Sequence, residues 1–349
     1  MLQFHSMFRL IIVLLAAATL SGQTAQKSNT VENLRGVSVV SNRIAWSSGT
    51  HGTYLRTLDG GRTWEPKPVP NAESLDFRDA EAFSGDVAYL LAAGPGDQSR
   101  IYKTTDAGKS WSLQFTNTNP KGFFDCMAFW DRDHGIAVGD PVPDTSGSLR
   151  FELISTDDGG AHWNPLTSSA LPPAMEGEGA FAASGTCIAV QSKNDVWFAT
   201  GGRLARVFRS KNRGKTWSVA DTPIAHGPAS AGIFSIAFKD AKHGVIAGGD
   251  YKQPNQGGPN LAFSKDGGRT WSLLTVTPQA YFSAVAFDHK YRRIVSTGTA
   301  LTIDIEGKSA RKVTDQNLNA VSVSRDGKAI AVGPKGLIVD LTQKTVTVD

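Results

Sequence analysis

The sequence predicts an all-β protein, a seven-bladed β-propeller with four-stranded blades. A motif of the form Ser/Thr-x-Asp-x-Gly-x-x-Trp occurs five times, and its tryptophans are 47, 52, 54 and 54 residues apart. A fixed period near fifty residues is typical of repeat architectures. The chain is also rich in glycine, with 36 in 349 residues, which favours many tight turns. The five tryptophans are Trp64, Trp111, Trp163, Trp217 and Trp271.

Each copy of the motif reads as the turn of a β-hairpin. The Asp or Asn side chain accepts hydrogen bonds from nearby backbone N–H groups, and the Gly adopts positive φ at little steric cost. Because five copies would not each carry a catalytic carboxylate, we interpret the motif as structural. The structural residues are Asp59, Asp106, Asp158, Asn212 and Asp266.

The motif lies inside a longer unit of four short apolar strands. In the third unit the strands are centred on 125–129, 135–140, 151–155 and Trp163. Two further units without the motif begin near Ala284 and Ala320, which gives seven. Such radial repetition predicts a propeller. We expect the segment 30–34 to complete the last blade and close the ring.

The first strand of each unit carries small residues at alternate positions, as expected beside a crowded axis. Glu81 falls among the large residues in this alignment, and the sequence offers no reason for it. The leading small residues are Gly36, Ala80, Cys126, Cys187, Ser235, Ala284 and Ala320.

The two cysteines, Cys126 and Cys187, thus occupy equivalent positions of adjacent blades. An exported protein can form disulfides. However, we expect neighbouring inner strands to lie farther apart than the Cβ spacing of roughly 4 Å that a bridge needs. Two small buried thiols are therefore the favoured interpretation, and a disulfide is the alternative.

Residues 1–25 have the pattern of a signal peptide. Arg9 precedes an apolar run from Leu10 to Leu20 that is too short to span a bilayer. Cleavage is expected between Gly22 and Ala25, with the propeller over 26–349. The sequence therefore predicts an extracytoplasmic protein, periplasmic or secreted, with no integral membrane segment after cleavage.

The charge and the residue spacing of the sequence argue against several classes of function. The net charge is +4 without a long basic run, so nucleic acid is not indicated. We find no zinc-like spacing of His and Cys, no phosphate loop and no dinucleotide fingerprint, so no metal and no cofactor are predicted. We expect a monomer.

Topology indicates which face carries the site. The motif turns connect strands three and four and lie on one rim, while the long loops and blade linkers lie on the other. Loops on a rigid scaffold commonly carry function. The long loops are 140–150, 166–179, 221–232 and 251–260. The candidate ligand- or partner-binding residues are Asp140, Glu178, Arg203, Arg206, His226 and Asp250, with solvated rim residues or loop-bracing ion pairs as the simpler interpretation.

The motif resembles the Asp-box, or BNR repeat, of sialidases and related propellers. The fuller unit, with HGIAVGD at 134–140 and STDDGG at 155–160, resembles the photosystem II stability/assembly factor family and related secreted bacterial proteins. That family implies a seven-bladed propeller that binds partner polypeptides through an arginine-rich patch. The nearest equivalents here are Arg203, Arg206, Arg209 and Arg213. The Phe/Tyr-Arg-Ile-Pro motif of sialidases is absent from the propeller.

Two functions follow as hypotheses. The first is a non-catalytic scaffold that binds a protein partner or ligand at the long-loop face. The second is a sialidase-like glycoside hydrolase or glycan-binding propeller, because Asp140, Glu178 and Asp250 are expected near one mouth and paired carboxylates cleave glycosides. The sequence leaves catalysis open.

Overall fold

The computed structural model describes residues 24–166 and 171–343, and it confirms the seven-bladed propeller. Within these residues the chain forms 30 strands in seven antiparallel sheets, with one short 3-10 turn at Gly96–Gln98. Each sheet is a blade whose first strand lines the central axis. The predicted signal peptide, apart from Thr24 and Ala25, lies outside the described residues.

Blades 1 to 4 contain sixteen strands in chain order. Blade 1 contains β2 (Leu34–Val39), β3 (Ala45–Gly49), β4 (Thr53–Thr57) and β5 (Glu65–Pro68). Blade 2 contains β6 (Phe77–Ala82), β7 (Ala88–Ala92), β8 (Arg100–Thr104) and β9 (Ser112–Thr116). Blade 3 contains β10 (Phe124–Phe129), β11 (Gly135–Pro143), β12 (Leu149–Thr156) and β13 (Asn164–Pro165). Blade 4 contains β15 (Ile188–Gln191), β16 (Asp195–Ala199), β18 (Arg206–Ser210) and β19 (Ser218–Asp221).

Blades 5 to 7 complete the ring. Blade 5 contains β20 (Ala231–Phe238), β21 (Gly244–Asp250), β22 (Leu261–Ser264) and β23 (Ser272–Leu273). Blade 6 contains β24 (Ala284–Asp288), β25 (Arg293–Thr297), β26 (Thr302–Glu306) and β27 (Ser309–Thr314). Blade 7 contains β28 (Ala320–Val323), β29 (Ala329–Val332), β30 (Ile338–Asp340) and β1 (Thr24–Gln26). Two short linker strands, β14 (Glu178–Gly179) and β17 (Gly201–Gly202), extend the blade 5 sheet to six strands.

The ring closes through the N-terminal strand β1, which pairs with β30 as the outer strand of blade 7. The expectation that residues 30–34 close the ring was wrong, because Leu34 already begins β2 of blade 1. Side chains reinforce the closure: the Trp64 indole N–H donates to Gln26 Oε1 at 2.9 Å. Thr24 and Ala25, which the sequence predicts to be the end of the signal peptide, lie within β1.

The repeated motif forms the turn between the third and fourth strands of blades 1 to 5. At the copy that ends in Trp271, the Ser264 hydroxyl accepts a hydrogen bond from Gly268 N and donates to Asp266 Oδ1, both at 2.8 Å. Asp266 also accepts from the backbone N–H and hydroxyl of Thr270. The same Ser/Thr-to-Gly bond is present in the other four copies. Each copy thus closes its hairpin turn with side-chain hydrogen bonds, and the structural role of the motif stays a prediction.

The strand register corrects the alignment of blade 2 by one residue. Gly36, Asp79, Cys126 and Ser235 are the matching positions, because each pairs with the equivalent residue of its neighbouring second strand. Ala80 was therefore wrong as the leading residue. Glu81 takes the channel-facing position that Ser38 holds in blade 1, and this explains its anomaly in the sequence.

Side chains in the first strands, or within two residues of their beginnings, tie adjacent blades together around the channel. Each of these side chains points along the ring and contacts the inner strand of the adjacent blade. Adjacent inner strands therefore lie close together. The noncovalent links are Ser38–Ala82, Asp79–Met127, Thr186–Ser235, Ser235–Val285, Ser283–Asn319 and Ser322–Val39, with distances of 2.7–3.1 Å.

The seventh link is a disulfide between Cys126 and Cys187, whose Cα atoms are 5.9 Å apart. The expectation of two buried thiols was wrong. The error came from placing neighbouring inner strands too far apart, whereas the side chain at this position points along the ring and not across it. The Ser235 hydroxyl, for example, accepts from Val285 N at 2.9 Å.

Blade 6 lacks the motif and contains a buried ion network in its place. Arg293 is 2% exposed and donates to Asp288 at 3.0 Å and to Asp304 at 2.6 Å. It also donates to the Leu341 carbonyl of blade 7 at 2.8 Å. The network therefore fixes both the strands of blade 6 and their contact with the next blade.

The predicted loop 140–150 is largely regular structure. β11 and β12 continue the blade 3 hairpin to Pro143 and Leu149, so only residues 144–148 form the turn. Across residues 24–166 and 171–343, no helix has the length and apolarity needed to cross a membrane.

Candidate functional site

The two rims of the ring differ as the strand order predicts. The motif turns lie on one rim, together with the turns between first and second strands. The other rim, here called the long-loop rim, carries the loops between second and third strands and the linkers between blades. First strands run away from the long-loop rim, so residues at their beginnings surround its axial opening.

β-Bulges in four first strands determine which side chains face this opening. In blades 1, 2, 3 and 5 the register shifts by one residue near the start of the strand. A bulge leaves one residue unpaired and redirects its side chain. The unpaired residues are Arg35, Arg78, Asp125 and Phe234, at equivalent positions of their blades.

Three of these residues line a cavity of about 410 Å³ on the axis, here called the axial mouth. Residues from several blades and linkers complete its wall. The lining includes Arg35, Arg78, Phe181, Phe234, Tyr251, Tyr281, Ser283, Thr299 and Asn319. The size lies within the usual range of ligand pockets, roughly 300–1,000 Å³.

One side of the axial mouth is cationic. Arg78 Nε donates to Asp76 Oδ2 at 2.8 Å, and Arg35 Nη2 lies 3.8 Å from the same oxygen. Two guanidinium groups thus share one carboxylate. Arg35 Nε is buried and makes no hydrogen bond with any residue that the structure describes. Burial lowers the pKa of Arg35 while Asp76 opposes that shift, and the guanidinium stays charged.

Another part of the wall of the axial mouth is aromatic. Phe181 stacks on Phe234 with ring centroids 3.9 Å apart, and Tyr281 meets Phe234 edge-on at 4.9 Å. Tyr281 is 3% exposed, whereas Tyr251 is half-exposed at the entrance. A cation beside an aromatic wall is chemically suited to a ligand with an anionic group and an apolar part.

Asp125 and Asp140 lie beside the cationic side. Burial raises the pKa of Asp125 well above its ordinary value, with a further contribution from Asp140, against the effect of Arg78. Burial also raises the pKa of Asp140 to about 6, although its carboxylate accepts from Ala180 N at 2.9 Å. Asp140 is thus half-buried beside the linker strand β14, and does not project freely from the rim.

Glu178 and Arg206 form an internal ion pair. Glu178 is 4% exposed and both carboxylate oxygens accept from Arg206, at 2.9 and 2.5 Å. The Thr200 hydroxyl and Met175 N also donate to Glu178. The pair braces the linker against blade 4, which matches the loop-bracing interpretation and leaves neither carboxylate oxygen of Glu178 unbonded.

The remaining candidates lie away from the axial mouth. His226 and Asp250 line a separate cavity of about 180 Å³, and His226 Nδ1 lies 2.8 Å from the Ile224 carbonyl oxygen. Asp250 accepts from Lys252 N at 2.9 Å. Arg203 is exposed, and its backbone N–H donates to the Gly177 carbonyl. The six predicted residues therefore do not meet in one site.

Sequence reasoning missed the residues of the axial mouth. A signal was present: Arg35 and Arg78 occupy the same position in the first strands of blades 1 and 2. It was hidden because blade 2 was aligned one residue out of register. The aromatic wall could not be found, since Phe181, Phe234 and Tyr281 come from three separate segments.

The other half of the channel holds a second pair of carboxylates, Asp79 and Glu81. Burial raises the pKa of Glu81 to about 7, and burial together with Glu81 raises that of Asp79. Asp79 accepts from Met127 N at 2.7 Å as a link of the ring. Over the described part of the chain, no group of three or more His, Cys, Asp and Glu residues is placed to hold a metal ion.

The family model described as "Photosynthesis system II assembly factor YCF48" matches residues 17–122, a span that contains blades 1 and 2. Among curated relatives, the chain is 21% identical over 266 residues to the photosystem II stability/assembly factor HCF136 of Arabidopsis thaliana. That match covers 64% of this chain and 62% of the relative. The chain thus spans about three fifths of that relative.

A second relative is the photosystem II assembly lipoprotein Ycf48 of Synechococcus sp. (strain CC9902), which is 24% identical over 265 residues. This match covers 69% of this chain and 75% of the relative.

Among solved structures, that of YCF48 bound to D1 peptide matches with a TM-score of 0.63 at 17% identity. It covers 91% of this chain and 96% of that chain. At this identity the likeness shows the fold. The sequence and fold comparisons together identify the chain as a β-propeller similar to the photosystem II assembly factors.

Proposed function

We propose that this protein is a non-catalytic extracytoplasmic scaffold that binds a polypeptide partner at its long-loop rim, with the axial mouth as the centre of contact. The observation that carries the proposal is the axial mouth, which is lined by two arginines and an aromatic wall. Arginine and aromatic residues are enriched at protein interfaces.

The relatives support a binding role. The solved structure of YCF48 contains a bound D1 peptide, and the relatives are assembly factors. A propeller that holds a polypeptide segment needs no catalytic group, only a rigid face with complementary charge and shape. The Arg35–Asp76–Arg78 cluster and the aromatic wall supply such a face.

The state of Glu178 favours binding over glycoside hydrolysis. A retaining or inverting hydrolase needs two carboxyl groups facing the substrate. Glu178 is buried with both oxygens bonded to Arg206, while Asp250 lines a different cavity. The carboxylates that motivated the hydrolase hypothesis therefore give it little support.

Site-specific photo-crosslinking tests the proposal. A benzophenone amino acid replaces Thr299, which lines the axial mouth, or Lys109, an exposed residue on the opposite rim. Full-length protein is irradiated in extracts of the native host. We expect a discrete polypeptide adduct from position 299 and none from 109, with the adduct lost when Arg35 and Arg78 are both changed to Gln. Equal adducts from both positions, or none from 299, would contradict the proposal.

The extracytoplasmic location has its own test. A fusion of alkaline phosphatase to Asp349 is expected to be active, because that enzyme needs an oxidising compartment for its disulfides. An inactive but stable fusion would argue against export.

A further inference from the structure

We infer that the axial mouth recognises a carboxylate group carried beside an apolar side chain of the bound polypeptide. This inference rests on the proposed function and specifies its ligand. It follows from three features of the axial mouth: two guanidinium groups that share one carboxylate, a tyrosine hydroxyl group that makes no hydrogen bond, and an apolar wall.

The bulges turn two guanidinium groups towards the cavity. Arg35 and Arg78 face the cavity, and Asp76 is the one carboxylate in salt-bridge distance of either among the described residues. The Arg78 bond to Asp76 is short, at 2.8 Å, whereas the Arg35 contact is 3.8 Å. Arg35 is therefore the weakly engaged guanidinium. A guanidinium binds a carboxylate through strong, charge-assisted hydrogen bonds.

The Tyr281 hydroxyl is the second feature. Tyr281 is 3% exposed and lines the axial mouth, yet its hydroxyl makes no hydrogen bond with any residue in 24–166 or 171–343. The hydroxyl opens into the cavity, while the nearby Arg35 Nε is fully buried without a hydrogen-bond partner among the described residues, which is unusual in a folded protein. The pKa of Tyr281 is raised by burial, so the hydroxyl keeps its proton and is available as a donor. An incoming carboxylate would accept that proton in a hydrogen bond.

The aromatic wall is the third feature. The Phe234 ring stacks on Phe181 and meets Tyr281 edge-on. A ligand whose carboxylate reaches Arg35 and Tyr281 thus places its neighbouring atoms on aromatic carbon. An apolar side chain next to the carboxylate gains from this burial. The carboxylate can belong to the C-terminus of the polypeptide or to an acidic side chain.

Three short peptides distinguish these sources. The probes are acetyl-Ala-Ala-Phe with a free C-terminal carboxylate, the same peptide as a C-terminal amide, and acetyl-Ala-Glu-Phe-amide, titrated into the full chain by calorimetry. We expect at least one acidic probe to bind about tenfold or more tightly than the neutral amide, since a hydrogen bond to a charged group contributes on this scale. The stronger of the two acidic probes identifies the source.

Conservative variants make the test specific. Tyr281→Phe removes only the hydroxyl group, so we expect unchanged or raised thermal stability, a severalfold loss of affinity for the acidic probe and no change for the amide. Arg35→Gln should weaken the acidic probe about tenfold. Arg269→Gln removes an exposed arginine of the opposite rim and should change neither affinity.

The inference is overturned if the neutral amide binds as tightly as the acids, if no probe binds, or if Tyr281→Phe leaves the affinity for the acid unchanged. These outcomes are separate from the crosslinking result. A polypeptide adduct from position 299, with no preference for the acidic peptides over the amide, would preserve the proposed function and overturn the inference of carboxylate recognition. Tighter binding of an acidic probe without a polypeptide adduct from position 299 would preserve carboxylate recognition and contradict the proposed function.

Discussion

Cys126, in the first strand of blade 3, is bonded to Cys187, just before the first strand of blade 4, and this disulfide is the covalent member of a ring of contacts between adjacent blades. The bond closes a loop with a sequence separation of 61 residues. Disulfides of this kind typically stabilise by about 2–4 kcal/mol. We expect the Cys126→Ala/Cys187→Ala variant to lose stability on that scale in urea unfolding. Dithiothreitol should lower the stability of the natural chain and leave the variant unchanged; sensitivity of the variant would count against the assignment.

Asp266 should contribute to stability and not to binding. Burial raises its pKa, but hydrogen bonds from Thr270, Ser264 and Arg269 N outweigh that effect and hold it at about 2. Asp266→Ala leaves turn amides without their acceptor, which costs about 1–2 kcal/mol because water partly replaces it. The difference in unfolding free energy between the natural chain and Asp266→Ala should shrink as pH falls from 4 towards 2, because the Asp266 carboxylate of the natural chain then becomes protonated. Asp315→Ala, at an exposed ion pair, is the control.

Loss of peptide binding by Asp266→Ala without any change in melting temperature would contradict its structural role. The motif turns lie on the rim opposite the axial mouth, so the two properties separate cleanly.

Glu81 should make the protein more stable at mildly acidic pH. Its folded pKa of about 7 lies above the ordinary value of 4.5. Such a group favours the native state when protonated, so its contribution is complete below about pH 4.5 and is lost as pH rises through 7. Glu81→Gln should therefore stabilise the protein by about 1 kcal/mol at pH 8 and have little effect at pH 4. Urea titrations of this variant and of exposed Glu306→Gln at both pH values provide the measurement; an equal effect at both would refute it.

Arg293 should be among the residues most sensitive to change in blade 6. Arg293→Met leaves Asp288 and Asp304 buried without their shared partner, which costs about 3–5 kcal/mol. Calorimetric melting should show a large fall in stability, whereas Arg292→Gln, at the adjacent exposed position, should melt like the natural chain. If both variants melt alike, the ion network is not what holds this blade.

The N-terminal strand should be required for closure of the ring. A chain that begins at Lys27 lacks β1 and the Gln26 contact with Trp64. We expect it to unfold at lower urea concentration than a chain that begins at Thr24. N-terminal sequencing of the exported protein should accordingly give a start at or before Thr24. Equal stability of the two chains would show that β1 is dispensable.

The sequence by itself determined the seven blades, the hairpin turns and the rim on which they lie. These features are local, since each depends on residues within one repeat of about fifty, and repetition makes the local signal strong. The motif around Asp266 is an example: the side-chain hydrogen bonds of Ser264 and Asp266 all lie within six residues of the chain.

Only the tertiary structure decided which side chains meet across blades. Cys126 and Cys187 are bridged because inner strands approach closely on a narrow ring, a distance that no single repeat reveals. Glu178 was expected at an open mouth, yet it is buried against Arg206. Arg35, Phe181 and Tyr281 come together because bulges and linkers from distant segments converge on the axis. A candidate site built from several blades depends on the closure of the ring, and its residues therefore had to be found in three dimensions.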